Sequence, residues 1–334
     1  MAPKEVGHVV LGNVIPSIPQ DAYISRVAAL EAGVPQETPA FNVNRLCGSG
    51  LQAVVSAAQS ILLGDCDVAI GAGAESMSRG AYLVTSNRWG ARMGDVKMLD
   101  FMLGALHDPR LNIHMGITAE NVAARHGISR EQQDAYAAES QARAAKAIAA
   151  GLFKEQIVPV EIKTRKGVVV FDTDEGVKAD TNVDTLGKMK PAFKKEEGTV
   201  TAGNASTLND GAAAVVMASA EKAKELGLKP LARLVSYGHA GVEPEYMGIG
   251  PVPASKAALA KAGLTVADLD VIESNEAFAA QACAVSKEMG FPADKTNPNG
   301  SGISLGHPVG ATGAILVTKA IYEQIGRASC RERV

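Results

Sequence analysis

The 334 residues suffice for two or three folding units, and 46% of them are hydrophobic, enough for a large core. Lys and Arg number 33 against 36 Asp and Glu, a net charge of −3 that leaves no basic field for nucleic acid. The four cysteines stand far apart with no CxxC pair, which argues against zinc and a disulfide framework; no apolar run approaches a membrane span or opens the chain as a signal peptide.

In chain order, the apolar run 7–12 reads as a strand. The segment 44–51 carries Cys47 between Leu46 and Gly48, and Leu51, Val54, Val55, Ala58, Ile61 and Leu62 follow at helical spacing, predicting an amphipathic helix with that face in the core. Residues 67–70 predict a buried strand, closed by a Gly-rich turn at 71–73. From about 77 to 208 the strand–helix alternation breaks into loops and charges, including 83–99 with the single Trp89, the basic cluster 163–166 and the acidic loop 171–176. Within it, Ser129 and Gln132 form a capping box that opens an Ala-rich helix ending at Gly151. Residues 212–217 return to a buried strand, Thr265 and Asp268 form a second capping box, and the strand 269–272 leads into the polar segment 273–279. Last comes a Gly-rich turn at 306–313 running into an apolar helix, then a charged tail at 327–334 with Cys330.

Three of these segments carry candidate chemistry. Cys47 opens a helix, where unpaired N–H groups and partial positive charge favour thiolate over thiol; the bland alternative is a buried cysteine in a Gly-rich turn. His307 stands in a turn of the same design and has the chemistry to take a proton from a thiol or to hydrogen-bond a developing oxyanion; alternatively it caps a helix. Asn275 and its neighbours lie at a strand's C-terminal end, a usual place for a site in an α/β sheet, with an ordinary helix cap as the alternative.

Together the motifs Asn44-Arg45-Leu46-Cys47-Gly48-Ser49-Gly50, Asn275-Glu276-Ala277-Phe278 and Gly306-His307-Pro308 resemble those of the thiolases, most closely the acetyl-CoA acetyltransferases. The resemblance runs through the segments 114–121 and 198–206 and covers roughly residues 5 to 326. It implies an α/β fold of duplicated βαβαβαββ halves in a five-layer αβαβα arrangement with an inserted loop domain: residues 1–76 and 209–230 as the N-terminal half, 77–208 as the loop domain, 231–334 as the C-terminal half. The implied reaction is 2 acetyl-CoA ⇌ acetoacetyl-CoA + CoA through an acyl-Cys47 intermediate, with His307 as base and Asn275 holding a water for the thioester oxygen. His114, Met115, Ala202, Gly203, Ser206, Met247, Ala277 and Phe278 then line the CoA tunnel, and Lys178 is a candidate for the CoA phosphates. The resemblance implies that CoA thioesters are substrates, with no separate cofactor or metal and with neither nucleic acid nor membrane expected as a partner. The family assembles as homodimers or homotetramers, the segment 83–99 matching the tetramer-forming region. A cytoplasmic location is expected, with organelle targeting open. A 3-ketoacyl-CoA thiolase of longer-chain range and a non-catalytic CoA-ester binder are the alternatives.

The chain departs from the family at its end. Thiolases carry a second cysteine in a Cys-x-Gly motif, whereas Cys330 is followed by Arg331 and Glu332. Cys330 is therefore assigned no acid/base role, and the expectation is a chain lacking outer elements at both termini.

Overall fold

A computed structural model describes residues 1–331, and side chains through residue 326. The expectations for the tail 327–334 and the Cys330 thiol fall outside the described side chains. The chain divides into two compact units. The first holds Met1–Met115, Leu208–Arg233 and Pro308–Thr318; the second holds Gly116–Thr207, Leu234–His307 and the residues from Lys319 onward.

The first unit is built on a four-stranded mixed sheet. Strands β1 (His8–Gly12), β2 (Ala40–Val43) and β3 (Val68–Ser76) are parallel, with β1 in the middle, and helices α1 (Ile24–Glu31) and α2 (Ser49–Leu62) make the crossovers that parallel pairing requires. Strand β4 (Asp210–Ala218) closes the edge antiparallel to β3. Val10 and Ala69 pack on one face against Ala53 and Ala57 of α2; Val9 and Val68 pack on the other against Ala29 of α1. Burial on both faces explains why β1 reads as a continuous apolar run rather than an alternating one.

Three expectations change here. The predicted turn 71–73 is absent, and β3 runs on to Ser76. Gly71 is small because α2 lies on it: a Cβ there would sit 2.5 Å from the Val54 Cα. The buried face of α2 is Ala53, Val54, Val55, Ala57 and Ala58, whereas Leu51 and Leu62 are 48% and 76% exposed; close helix–sheet contact selects small side chains over the large ones the periodicity picked out. Strand β4 is half-exposed rather than buried, alternating outward and inward as an edge strand with one covered face does.

The second unit is mainly helical: α3 (Met115–His126, entering it at Gly116), α4 (Arg130–Ala149), α5 (Pro251–Ala262) and α6 (Ala279–Met289). Its principal core joins Ala119, Val122 and Ala123 of α3 to Ala280 and Ala284 of α6 and to Val200. The Ser129–Gln132 capping box forms as expected and starts α4. The Thr265–Asp268 box also forms, but it opens only the short 3₁₀ turn Val266–Asp268. The strand expected at 269–272 reduces to one parallel bridge, Ile272 to Thr296. Pairing stops there because the side-chain amide of Asn297 takes both the N–H and the carbonyl of Ser274. Helix α7 (Thr312–Arg331) begins in the first unit and passes to the second at Lys319.

Candidate active site

Between β2 and α2 the chain makes a loop that is held from within. Asn44 Oδ1 accepts the Leu46 N–H at 3.0 Å, Ser49 Oγ accepts the Arg45 N–H at 2.8 Å and donates to the Leu46 carbonyl at 2.6 Å, and the Gly48 N–H donates to the Arg45 carbonyl at 3.0 Å. These bonds impose a left-handed φ of 47° on Leu46, uncommon for a side chain of its size and typical of strain kept at functional turns. Cys47 is exposed.

The electrostatics of that thiol differ from the expectation. Surrounding protein pushes its pKa up to about 11; the Cys47 N–H opposes the rise and the Glu75 carboxylate adds to it. Exposure and desolvation coexist because access for a ligand needs one open side, whereas a thiolate loses hydration from every crowded side. The helix end is also one step away: α2 starts at Ser49 with Gly48 as its cap, so Cys47 lies outside the first turn, where the dipole effect falls off. The resting group is a thiol that needs a base.

The Cys47 turn packs backbone against backbone on the start of α7, within the same unit. A Cβ on Gly50 would meet the Ala314 nitrogen at 2.7 Å, one on Gly313 the Leu51 nitrogen at 2.1 Å, and one on Gly73 the Gly310 oxygen at 2.3 Å. Below this contact lies Glu75, 4% exposed and near the end of β3. Its Oε2 accepts the N–H groups of Val14 and Gly310 at 3.1 and 2.9 Å, and its Oε1 accepts the Ile15 N–H at 2.9 Å and the Asn13 amide at 3.2 Å. The sequence reading missed Glu75; the available signal was an acid at the C-terminal end of an apolar strand.

In the second unit, Asn275 Nδ2 lies 3.4 Å from His307 Nδ1 and 3.3 Å from Nε2. A nitrogen equidistant from both ring nitrogens is aligned with neither, so this is a polar contact that leaves the hydrogen-bonding directions of the ring uncommitted to Asn275. Asn275 Oδ1 is buried without a hydrogen-bond partner among the described residues. His307 is 6% exposed, and burial pushes its pKa down to about 4, so the imidazole is neutral at neutral pH, with one ring nitrogen free of a proton.

Glu276 secures this region. At 1% exposure it accepts hydrogen bonds from Ser140 Oγ (2.6 Å), Asn297 Nδ2 (3.0 Å), Tyr136 Oη (3.2 Å) and the Ile303 N–H (3.2 Å), joining the 275–278 segment to α4 and to the turn before His307. Burial raises its pKa and these donors lower it, the rise prevailing. A cavity of about 310 Å³ lies beside Glu276, lined by Tyr136, Ser140, Cys283 and Phe291 among others, and contains none of the candidate substrate residues.

Of the candidate CoA residues, the structure brings together Ser206, Ala277 and Phe278: the Ser206 N–H donates to the Ala277 carbonyl at 3.0 Å, and Ala205 bridges to Phe278. Phe278 stacks edge-on against Phe193 at 6.2 Å. Gly203 faces Leu186 and Met189 too closely for a Cβ, Ala202 is exposed, and Met247 lies half-buried in the 3₁₀ stretch Pro244–Ile249. His114 and Met115 belong to the first unit, where His114 stacks edge-on with His107 at 4.9 Å. Lys178 is exposed, its backbone N–H held by Gln141. Among the described residues no helix is long and apolar enough to cross a membrane.

The sequence matches the family "Thiolase, N-terminal domain" over residues 1–221 and "Thiolase, C-terminal domain" over residues 228–329. It is 67% identical over 319 residues to "Beta-ketothiolase BktB" of Cupriavidus necator, covering 96% of this chain and 81% of that protein. It is 51% identical over 329 residues to "Acetyl-CoA acetyltransferase" of Chromobacterium violaceum, covering 98% of this chain and 83% of that one. The fold superposes on the crystal structure of human mitochondrial 3-ketoacyl-CoA thiolase with a TM-score of 0.95 at 43% identity, covering 98% of this chain and 82% of that chain. With matches to both thiolase domains, high identity to named relatives and this agreement in fold, the chain belongs to the thiolase family of acyltransferases.

Proposed function

We propose that the chain is an acetyl-CoA acetyltransferase, interconverting 2 acetyl-CoA with acetoacetyl-CoA + CoA through an acyl-Cys47 intermediate. His307 takes the Cys47 proton as sulfur attacks the thioester carbonyl carbon; the tetrahedral intermediate then expels the CoA thiolate, which recovers the proton from His307. A thiol near 11 and an imidazole near 4 favour the neutral pair at rest, so proton transfer accompanies attack rather than preceding it. Asn275 holds a water at its unpaired Oδ1 and, with His307, stabilises the thioester oxygen; each such donor contributes about 3 kcal/mol. Ser206, Ala277, Phe278, Ala202, Gly203, Met247, His114 and Met115 serve the CoA arm. CoA thioesters are the only small molecules the reaction requires, the assembly is a homodimer or homotetramer, and the compartment is the cytoplasm.

The observation that carries the reading is the exposed Cys47 in a strained turn, together with a buried neutral His307 touching Asn275. A second reading, a thiolase of longer-chain range, draws on the 67% identity to a protein named beta-ketothiolase. Thiolysis of acetoacetyl-CoA, followed by loss of its enolate absorbance, tests the first reading: turnover by the parent chain and none by Cys47→Ala is expected, and turnover by Cys47→Ala would overturn it. Faster thiolysis of a longer 3-ketoacyl-CoA would favour the second.

A further inference from the structure

Glu75 stands apart from the motifs that define the family site, yet its buried carboxylate ties the segment after β1 to the turn before α7, on which the Cys47 turn packs. We propose that Glu75 is a positioning residue for acylation at Cys47, fastening with one carboxylate the 308–311 turn that follows His307 to the strands carrying the nucleophile helix. The inference rests on the acyl-Cys47 reading and deepens it.

The geometry is specific. Oε1 and Oε2 each accept a pair of donors, and the three backbone N–H groups among them come from Val14, Ile15 and Gly310, two segments far apart in the chain. All the donors point inward and none is an acceptor, so the anion satisfies every one of them, whereas a protonated carboxyl would aim its own hydrogen at an N–H. Gly310 must be glycine for the contact to exist: a Cβ there would sit 2.8 Å from Glu75 Oε2. Gly310 lies two residues before α7, and Pro308 accepts from Ala311, Thr312 and the Thr312 hydroxyl, so fixing Gly310 fixes the whole turn up to the bond with His307.

The same charge acts on Cys47 without touching it, opposing the thiolate. Of the elements around the turn, β2, α2 and the segment 308–318 contain no titratable residue and β1 contains only His8 at its far end; His307, the base of the acyl-Cys47 reading, is the other titratable group that acts on Cys47 in that reading. Asp21 acts on Glu75 itself, and Arg45 flanks Cys47 as an exposed cation. Burial raises the pKa of Glu75 and Asp21 adds to the rise; its backbone donors oppose it, the rise prevailing.

The test uses the intact chain and two readouts, thiolysis kinetics and the pH dependence of Cys47 alkylation by iodoacetamide. Glu75→Gln keeps the shape but removes the charge and turns an N–H₂ toward one donor pair. It is expected to lower kcat by roughly tenfold to a hundredfold with KM nearly unchanged. It should also move the alkylation midpoint to lower pH by on the order of half a unit. Asn13→Ala removes a neutral donor and should leave that midpoint in place. If Glu75→Gln does not fold, Glu75→Asp decides: it keeps the charge but falls short of Gly310, so kcat should drop while the midpoint stays. A purely structural Glu75 would lower the denaturation midpoint and leave kcat and the alkylation midpoint at parent values, which overturns the proposal. Turnover by Cys47→Ala would instead sink the acyl-Cys47 reading, and the alkylation midpoint would still judge Glu75.

Discussion

Protonating His307 should destabilise the fold by a calculable amount. Burial holds its pKa at about 4, against 6.5 for the free side chain, a difference of about 2.5 units. At about 1.36 kcal/mol per unit this corresponds to about 3 kcal/mol. The sign follows from proton binding. The folded state gives up its proton more readily than the unfolded one, so the unfolded state binds more protons between the two pKa values. The stabilisation is complete above pH 6.5, is lost as pH falls towards 4, and the loss saturates below that. Glu75, Glu273 and Glu276 have raised pKa values, so their contribution has the opposite slope: it is present below the ordinary glutamate pKa and lost as pH rises through the folded values. The assay therefore compares urea midpoints of the parent and His307→Gln at a series of pH values, so that the carboxylates cancel in the difference. The parent should lose about 3 kcal/mol more than the variant between neutral pH and pH 4. A difference below about 1 kcal/mol would mean that water reaches the imidazole and that it is no low-pKa base.

Two substitutions probe the supports of the site. Glu276→Leu leaves the Ile303 N–H and the Tyr136 hydroxyl without their carboxylate, while Ser140 retains Ser304 at 2.9 Å and the Asn297 amide retains the Ser274 carbonyl at 2.9 Å; at about 1–3 kcal/mol per orphaned donor, urea unfolding should show a loss of about 2 to 6 kcal/mol, and a loss under about 1 would show that water replaces the carboxylate. Gly73→Ala forces a Cβ to within 2.3 Å of the Gly310 oxygen and should cost about 1–3 kcal/mol and slow Cys47 alkylation. Gly64→Ala, with φ at 81° and open space around it, should cost about 1 kcal/mol and leave alkylation unchanged; equal alkylation by the two variants would separate the turn's packing from its reactivity.

What the sequence disclosed and what it concealed divide along a physical line. Reactive side chains in short motifs are local patterns, so Cys47, Asn275 and His307 stood out as candidates, and the Ser129 cap was legible, its two bonds closing within three residues. Glu75 was not, because its partners lie 60 to 235 residues away and three of the four are backbone N–H groups, which leave no trace in residue type. Glu276 was quoted as part of a motif, but its role depends on Ser140 and Ile303, again distant. The strand expected at 269–272 keeps only the bridge at Ile272: local apolar character predicted a ladder, and beyond that bridge a long-range side-chain amide, Asn297, takes the backbone groups of Ser274.

The glycines around Cys47 show how a local reading misleads about the reason for a residue. Gly48, Gly50, Gly71 and Gly73 read as turn formers, yet none of them has a positive φ. Three of them instead mark places where one backbone lies on another: Gly71 under α2, Gly50 on Ala314, Gly73 on Gly310. Removing side chains at such contacts brings two helix starts within backbone distance, and with them the Cys47 loop and the turn after His307. Low aromatic content, 4% of the chain, and 34 glycines have the same origin, since large rings would separate the layers that the chemistry needs close. A Cβ at any of these three positions should therefore perturb Cys47 reactivity more than its cost in stability suggests, because it acts on the spacing of the Cys47 loop and the turn preceding α7 before it acts on the core.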